Sequence, residues 1–214
     1  GIYVNLFVGS EAVAGLKENT VRLKQETRYP WDGKIRITVA PARETEFTIF
    51  VRIPGWTMNQ PVPGDLYRYV GTVDEKPTLA VNGENMAIDV QKGYARLHRL
   101  WKEGDVIELD LPMPVRRVLS HPDVEENAGK VAVERGPLVY CVEGIDHGGK
   151  ALDIVLPDDT ALYPEIHPEL LRGLTVIKGS ARLDGKELDL TAIPYYAWSH
   201  RGIGEMAVWL NRKK

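Results

Sequence analysis

One cysteine in 214 residues leaves no internal disulfide and no pair of thiolates to hold a zinc ion. No apolar run approaches the roughly 20 residues that a helix needs to cross a bilayer. Basic residues are not in excess either: 27 Lys and Arg against 30 Asp and Glu give a formal charge of −3. A nucleic-acid partner needs a concentrated positive surface, so neither nucleic acid nor membrane is an expected partner. The five histidines (His98, His121, His147, His167 and His200) never fall at the three- or four-residue spacing that sets two ligands on one helix face. The glycine-rich stretch Gly144-Ile145-Asp146-His147-Gly148-Gly149 lacks the Lys-Ser/Thr ending of a phosphate loop and reads as a connection. There is no initiator Met and no signal peptide: Gly1 runs directly into Ile2-Tyr3-Val4-Asn5-Leu6-Phe7-Val8. A chain that starts inside a strand pattern reads as a piece of a longer one. A cytosolic home and a periplasmic or secreted one are equally compatible with this composition.

What is present is period-two alternation. Ile35, Ile37 and Val39 share one face, as do Phe47, Ile49, Val51 and Ile53, and Ile107, Leu109 and Leu111 alternate with Glu108 and Asp110. Such alternation marks strands with one buried and one wet face. Asp32-Gly33, Asn82-Gly83, Glu103-Gly104-Asp105 and Asp184-Gly185 supply turn signals between them. Helical evidence is limited to a short turn within residues 10–19 and one turn at Pro168-Glu169-Leu170-Leu171-Arg172, capped by Gly173. The fold class is therefore all-β, two tandem β-sandwich domains of jelly-roll character. The proline pair in Leu111-Pro112-Met113-Pro114 sets the boundary. The tail Met206-Ala207-Val208-Trp209-Leu210 alternates like a strand.

Candidate chemistry is sparse. Asp123, Glu125 and Glu126 lie beside His121, and Asp158-Asp159 follow Pro157, but neighbours in a polar loop do not define the separation that a carboxyl pair needs. His121-Pro122-Asp123 reads as a turn. Cys141 sits in the apolar strand Leu138-Val139-Tyr140-Cys141-Val142, the setting of a buried small hydrophobe rather than of a nucleophile. No set of acid, base and nucleophile assembles, so no catalytic, cofactor-binding or metal-binding residue is assigned. Aromatic side chains near turns are the remaining lead, and Trp31, Trp56 and Trp198 are the candidate sugar-stacking residues. Read as a strand, Tyr195-Tyr196-Ala197-Trp198 puts Tyr196 and Trp198 on one face and Tyr195 on the other, and a structural role is expected for all three rings.

Several segments, in fixed order, carry a more specific signal. They are Tyr29-Pro30-Trp31-Asp32-Gly33, Arg52-Ile53-Pro54-Gly55-Trp56, Val81-Asn82-Gly83, Trp101-Lys102-Glu103-Gly104-Asp105 and Leu111-Pro112-Met113-Pro114-Val115-Arg116. Arg135-Gly136-Pro137-Leu138-Val139-Tyr140, Thr191-Ala192-Ile193-Pro194-Tyr195-Tyr196-Ala197-Trp198 and Gly204-Glu205-Met206 follow. Together they resemble the C-terminal portion of the bacterial β-L-arabinofuranosidase family, glycoside hydrolase family 127. The resemblance implies an (α/α)6 barrel that hydrolyses the glycosidic bond, followed by β-sandwich domains. Similar family architecture also implies that the tail returns to the first sandwich, so that residues 1–113 and 201–214 form a discontinuous domain I and 114–200 domain II. It also implies a cysteine nucleophile, a glutamate acid/base and a cysteine-held zinc, all in the barrel. None of these maps onto this chain, since Cys141 belongs to a different motif. The expectation is a non-catalytic accessory module that supports the missing barrel and contains no cofactor. An autonomous carbohydrate-binding module and a structural or homodimer-forming module are the alternatives.

Overall fold

A computed structural model describes residues 1–213, which are all-β apart from short 3-10 turns and contain no helix long and apolar enough to cross a membrane. The chain forms two compact units, one of residues 1–58 and 73–113, the other of residues 59–72 and 114 onward.

The first unit comprises β1 (Ile2–Val4), β2 (Ser10–Leu16), β3 (Asn19–Thr27), β4 (Lys34–Pro41) and β5 (Thr45–Arg52). An excursion carrying β6 (Tyr67–Tyr69) precedes β7 (Thr78–Val81), β8 (Glu84–Met86), β9 (Val90–Gln91), β10 (Tyr94–Trp101) and β11 (Asp105–Asp110). A six-stranded sheet runs β2-β3-β4-β11-β7-β8 and a four-stranded one runs β1-β5-β10-β9. Ile35, Ile37 and Val39 from the larger sheet and Phe47, Ile49 and Val51 from the smaller meet in one apolar cluster. That shared core makes the pair of sheets a sandwich. Trp101 is wholly buried in it, and its indole N–H donates to the Phe47 carbonyl at 3.0 Å, which satisfies the one polar atom of a large ring.

The turns divide into two kinds. Asn82 (φ 53°) and Gly83 (φ 79°) close the β7–β8 hairpin in the left-handed conformation that Asn-Gly accepts. Gly33 answers to a different need: a Cβ there would lie 1.9 Å from the Leu111 carbonyl oxygen, so Asp32-Gly33 marks a close approach of two backbones. Residues 10–16, expected as a short helical turn, are instead strand β2, paired with β3 from Ser10↔Gln25 to Leu16↔Asn19. The ladder outweighs the helical propensity of Glu-Ala-Val-Ala.

In the second unit lie β12 (Val115–Ser120), β13 (Lys130–Arg135), β14 (Leu138–Glu143), β15 (Val155–Pro157), β16 (Tyr163–His167), β17 (Leu174–Leu183) and β18 (Lys186–Pro194). β19 (Met206–Ala207) and β20 (Leu210–Lys213) complete it. Hydrogen bonding passes from β13 through β14, β18, β17, β15 and β20 back to β13, so these strands form a closed circuit. Val133, Tyr140, Ile177, Leu190 and Leu210 fill the core. Cys141, Val176 and Ile193 join a separate cluster. β14 is thus buried on both faces, which explains its unbroken apolar run.

The expected domain boundaries need two corrections. Residues 201–213 do not return to the first unit: β19 pairs with β14, and β20 pairs with β13 and β15. The tail strand is also broken at Val208-Trp209. Open backbone groups on β13 and β15 accept β20, and the Arg212 guanidinium clamps Asp158 at 2.8 and 2.7 Å. The segment that interrupts the first unit is 59–72, whose β6 joins the edge of the second-unit sheet through Val118↔Tyr69 and Ser120↔Tyr67.

Candidate functional site

The carboxyl-terminal end of β18 carries the most organised group of exposed aromatic and charged side chains. Pro194 closes the strand and the chain enters a 3-10 turn, Tyr195–Ala197, in which the Trp198 N–H donates to the Tyr195 carbonyl at 3.1 Å. Three residues make one turn of such a helix, so positions i and i+3 eclipse. Tyr195 and Trp198 consequently stack, with ring centroids 5.9 Å apart and planes 14° from parallel. This overturns the strand reading of the segment, in which Tyr196 and Trp198 would share a face. Nor are the rings interior: Tyr195 is 46%, Tyr196 48% and Trp198 40% exposed.

A charge network centred on the buried Glu143 fixes the chain just beyond the rings. Ser199 adopts φ 67°, a costly conformation for a residue with a Cβ, and its N–H donates to Glu143 Oε1 at 3.1 Å. Glu143 is the last residue of β14 and is buried. Its Oε2 accepts from Arg201 Nε at 3.0 Å and Nη2 at 2.5 Å, and the same guanidinium reaches both Asp146 oxygens at 2.9 and 2.6 Å. The Asp146 hydrogen bonds, and then those of Glu143, outweigh burial and raise the Arg201 pKa. His200 Nδ1 lies 3.0 Å from the Trp198 carbonyl. Guanidinium and carboxylates in bidentate pairs hold the loop in one conformation.

The other two sugar-stacking candidates lie in the first unit. Trp31 is 47% exposed beside the cis Tyr29-Pro30 bond, and Trp56 is half-buried against the first core. The carboxylates Asp123, Glu125 and Glu126 fall in a loop with a 3-10 turn at Glu125–Asn127, where Asp123 accompanies His121 at 3.6 Å. His147 is a satisfied interior histidine, with Nδ1 2.7 Å from the Glu143 carbonyl and Nε2 accepting from the Thr191 N–H at 3.2 Å. Cys141 is 1% exposed, and burial first, then the nearby Glu143 carboxylate, push its thiol up to about 12. A thiol so raised is neither nucleophile nor ready metal ligand. Among the described residues no three His, Cys, Asp or Glu side chains gather in a metal-holding group. A cysteine-held zinc does not fit this donor set.

The model of the GH127 β-L-arabinofuranosidase middle domain matches residues 1–113, and that of the family 127 C-terminal domain matches residues 115–211. The chain belongs to glycoside hydrolase family 127. It is 32% identical to a non-reducing end β-L-arabinofuranosidase of Bifidobacterium longum subsp. longum, over 89% of this chain and 30% of that enzyme. Among solved structures it resembles a GH127 β-arabinofuranosidase (TM-score 0.90, 40% identity, 99% of this chain and 34% of that one). A GH127 β-L-arabinofuranosidase from Geobacillus stearothermophilus T6 is similar (TM-score 0.84, 40% identity, 99% and 33%). The chain therefore spans about a third of the length of the relatives it matches.

Proposed function

We propose that this chain is the non-catalytic accessory part of a β-L-arabinofuranosidase-like hydrolase, and that it supports a catalytic (α/α)6 barrel carried elsewhere in the parent protein. The observation that carries this reading is Cys141. A cysteine-dependent hydrolase needs a thiolate in reach of substrate, and the single thiol here lies in the second-unit interior with its pKa pushed to about 12. The matches to a middle and a C-terminal domain support the same division of labour.

The test compares the purified chain with the full-length gene product on an aryl β-L-arabinofuranoside. Turnover is expected only from the full-length protein. Turnover by the chain, abolished by Cys141→Ser or by Glu143→Gln, overturns the proposal.

A further inference from the structure

The Tyr195/Trp198 ring pair differs from the other exposed aromatics in its surroundings. In the first unit Tyr3 stacks on Phe50 at 4.4 Å, Tyr94 meets Tyr3 edge-on at 5.3 Å, and Arg52 covers Tyr94. Those rings pack on one another, and the Tyr94 hydroxyl is already engaged by Asn5 Oδ1 at 2.8 Å. The second-unit pair is exposed and set on a loop held in one conformation by the Glu143–Arg201–Asp146 network. A sugar ring has one face of C–H bonds and an edge of hydroxyl groups. It needs an aromatic face for the first and fixed, planar hydrogen-bonding groups for the second. A flat protein contact does not need the strained, anchored backbone at Ser199.

We propose that Tyr195 and Trp198, with the Glu143–Arg201–Asp146 network beside them, form a binding surface for a neutral glycosyl residue of the L-arabinofuranosyl class. Two carboxylates face one guanidinium in the network, so an acidic sugar is disfavoured by like charge. The choice of the arabinofuranosyl class rests on the proposed function, whereas the ring geometry does not. The surface holds the sugar without cleaving it, and a parent hydrolase gains a second attachment point on an arabinoside chain that raises the local concentration of its substrate.

The probe is methyl β-L-arabinofuranoside, titrated against the purified chain with saturation-transfer NMR as the readout and reducing-sugar release measured in parallel. Saturation is expected at the ring protons of the sugar. Trp198→Ala and Tyr195→Ala are expected to weaken binding about tenfold or more, and Trp198→Phe to weaken it less. Trp31→Ala is expected to leave it unchanged. Both rings are nearly half exposed, so the variants keep their fold; if Trp198→Ala does not, the Tyr195→Ala and Trp198→Phe pair decides. Absence of transfer, transfer that survives Tyr195→Ala and Trp198→Phe unchanged, or binding of pyranosides in place of the arabinofuranoside overturns the proposal. So does protection of Tyr195 and Trp198 from radical labelling in the sugar-free full-length protein, which assigns the rings to a protein contact. Release of reducing sugar by the chain refutes the accessory reading, a separate outcome.

Discussion

Replacement of Arg116 by alanine tests how the excursion 59–72 is held to the second unit. Arg116 is 8% exposed, and its guanidinium lies 3.9 Å over the Tyr69 ring. It donates to Asn59 Oδ1 at 2.9 Å and to the Gly71 carbonyl at 3.0 Å, so it binds the excursion at both ends. The Tyr69 hydroxyl in turn donates to Glu134 Oε2 at 3.0 Å, and Glu134 is the cross-strand partner of Arg116. Burial lowers the Arg116 pKa and raises that of Glu134, so each charge relies on this cluster. Two hydrogen bonds from a charged donor contribute about 1.5–3 kcal/mol each, and the cation–ring contact adds about 1–2 kcal/mol. Part of that is recovered when water reaches Asn59 and Gly71, which leaves a loss of about 3–5 kcal/mol. In a unit of this size the loss lowers the melting temperature by roughly 10–20 °C. Thermal unfolding gives the magnitude, and amide exchange at residues 67–70 shows whether β6 is the part released. Arg116→Lys keeps the charge without the planar fork and is expected to restore less than half of the loss. A fall under about 3 °C for Arg116→Ala, or unchanged exchange at β6, refutes the assignment of the cluster as the clamp.

Two further perturbations address the first unit. Trp101→Phe leaves the Phe47 carbonyl without its 3.0 Å donor and a void in the core; a loss of about 2–4 kcal/mol in urea unfolding is expected, and a loss below about 1 kcal/mol contradicts the reading. Burial opposes ionisation of Asp105, but the Lys102 backbone N–H and the Asn82 amide bond its carboxylate and hold its pKa below the usual range. A depressed carboxyl stabilises the fold above its unfolded pKa of about 3.9 and loses that contribution as pH falls through the folded value. Asp105→Asn is therefore expected to cost about 1–2 kcal/mol at pH 7 and progressively less below about pH 4; a cost independent of pH counts against the linkage.

The strands that one face betrays were readable without coordinates. In β4, β5 and β11 every second residue is interior, and Ile37, Ile49 and Ile107 are wholly buried. The period-two pattern of these strands has no competing interpretation. The excursion gave the opposite impression. Pro61, Pro63 and Gly64 precede a strand of only three residues, so 59–72 carries the composition of a loop, and its partner β12 lies about 50 positions away in the sequence. Tail residues 206–210 alternate convincingly, yet alternation states only that one face is buried. It does not say which sheet buries it, and the open edges of β13 and β15 made that choice.

The ring surface shows the same limit more sharply. Tyr195-Tyr196-Ala197-Trp198 consists of good strand formers, and propensity favours continuation of β18. The turn is imposed from outside the segment. Cross-strand pairing of Cys141 with Ile193 brings the end of β14 beside the end of β18, and pairing of Glu143 with Met206 brings the returning chain to the same place. Glu143 then bonds the Ser199 N–H and the Arg201 guanidinium, the latter 58 positions along the chain. A buried carboxylate at that corner requires both donors, and it obtains them only if the chain leaves the strand after Pro194 and reverses through the left-handed Ser199. The i+3 spacing of the stacked rings is thus a consequence of an ion network whose parts are far apart in sequence. Loss of that network by Glu143→Ala would free the segment to extend, move Tyr195 and Trp198 to opposite faces and remove the stacked surface, while both rings stayed in the sequence.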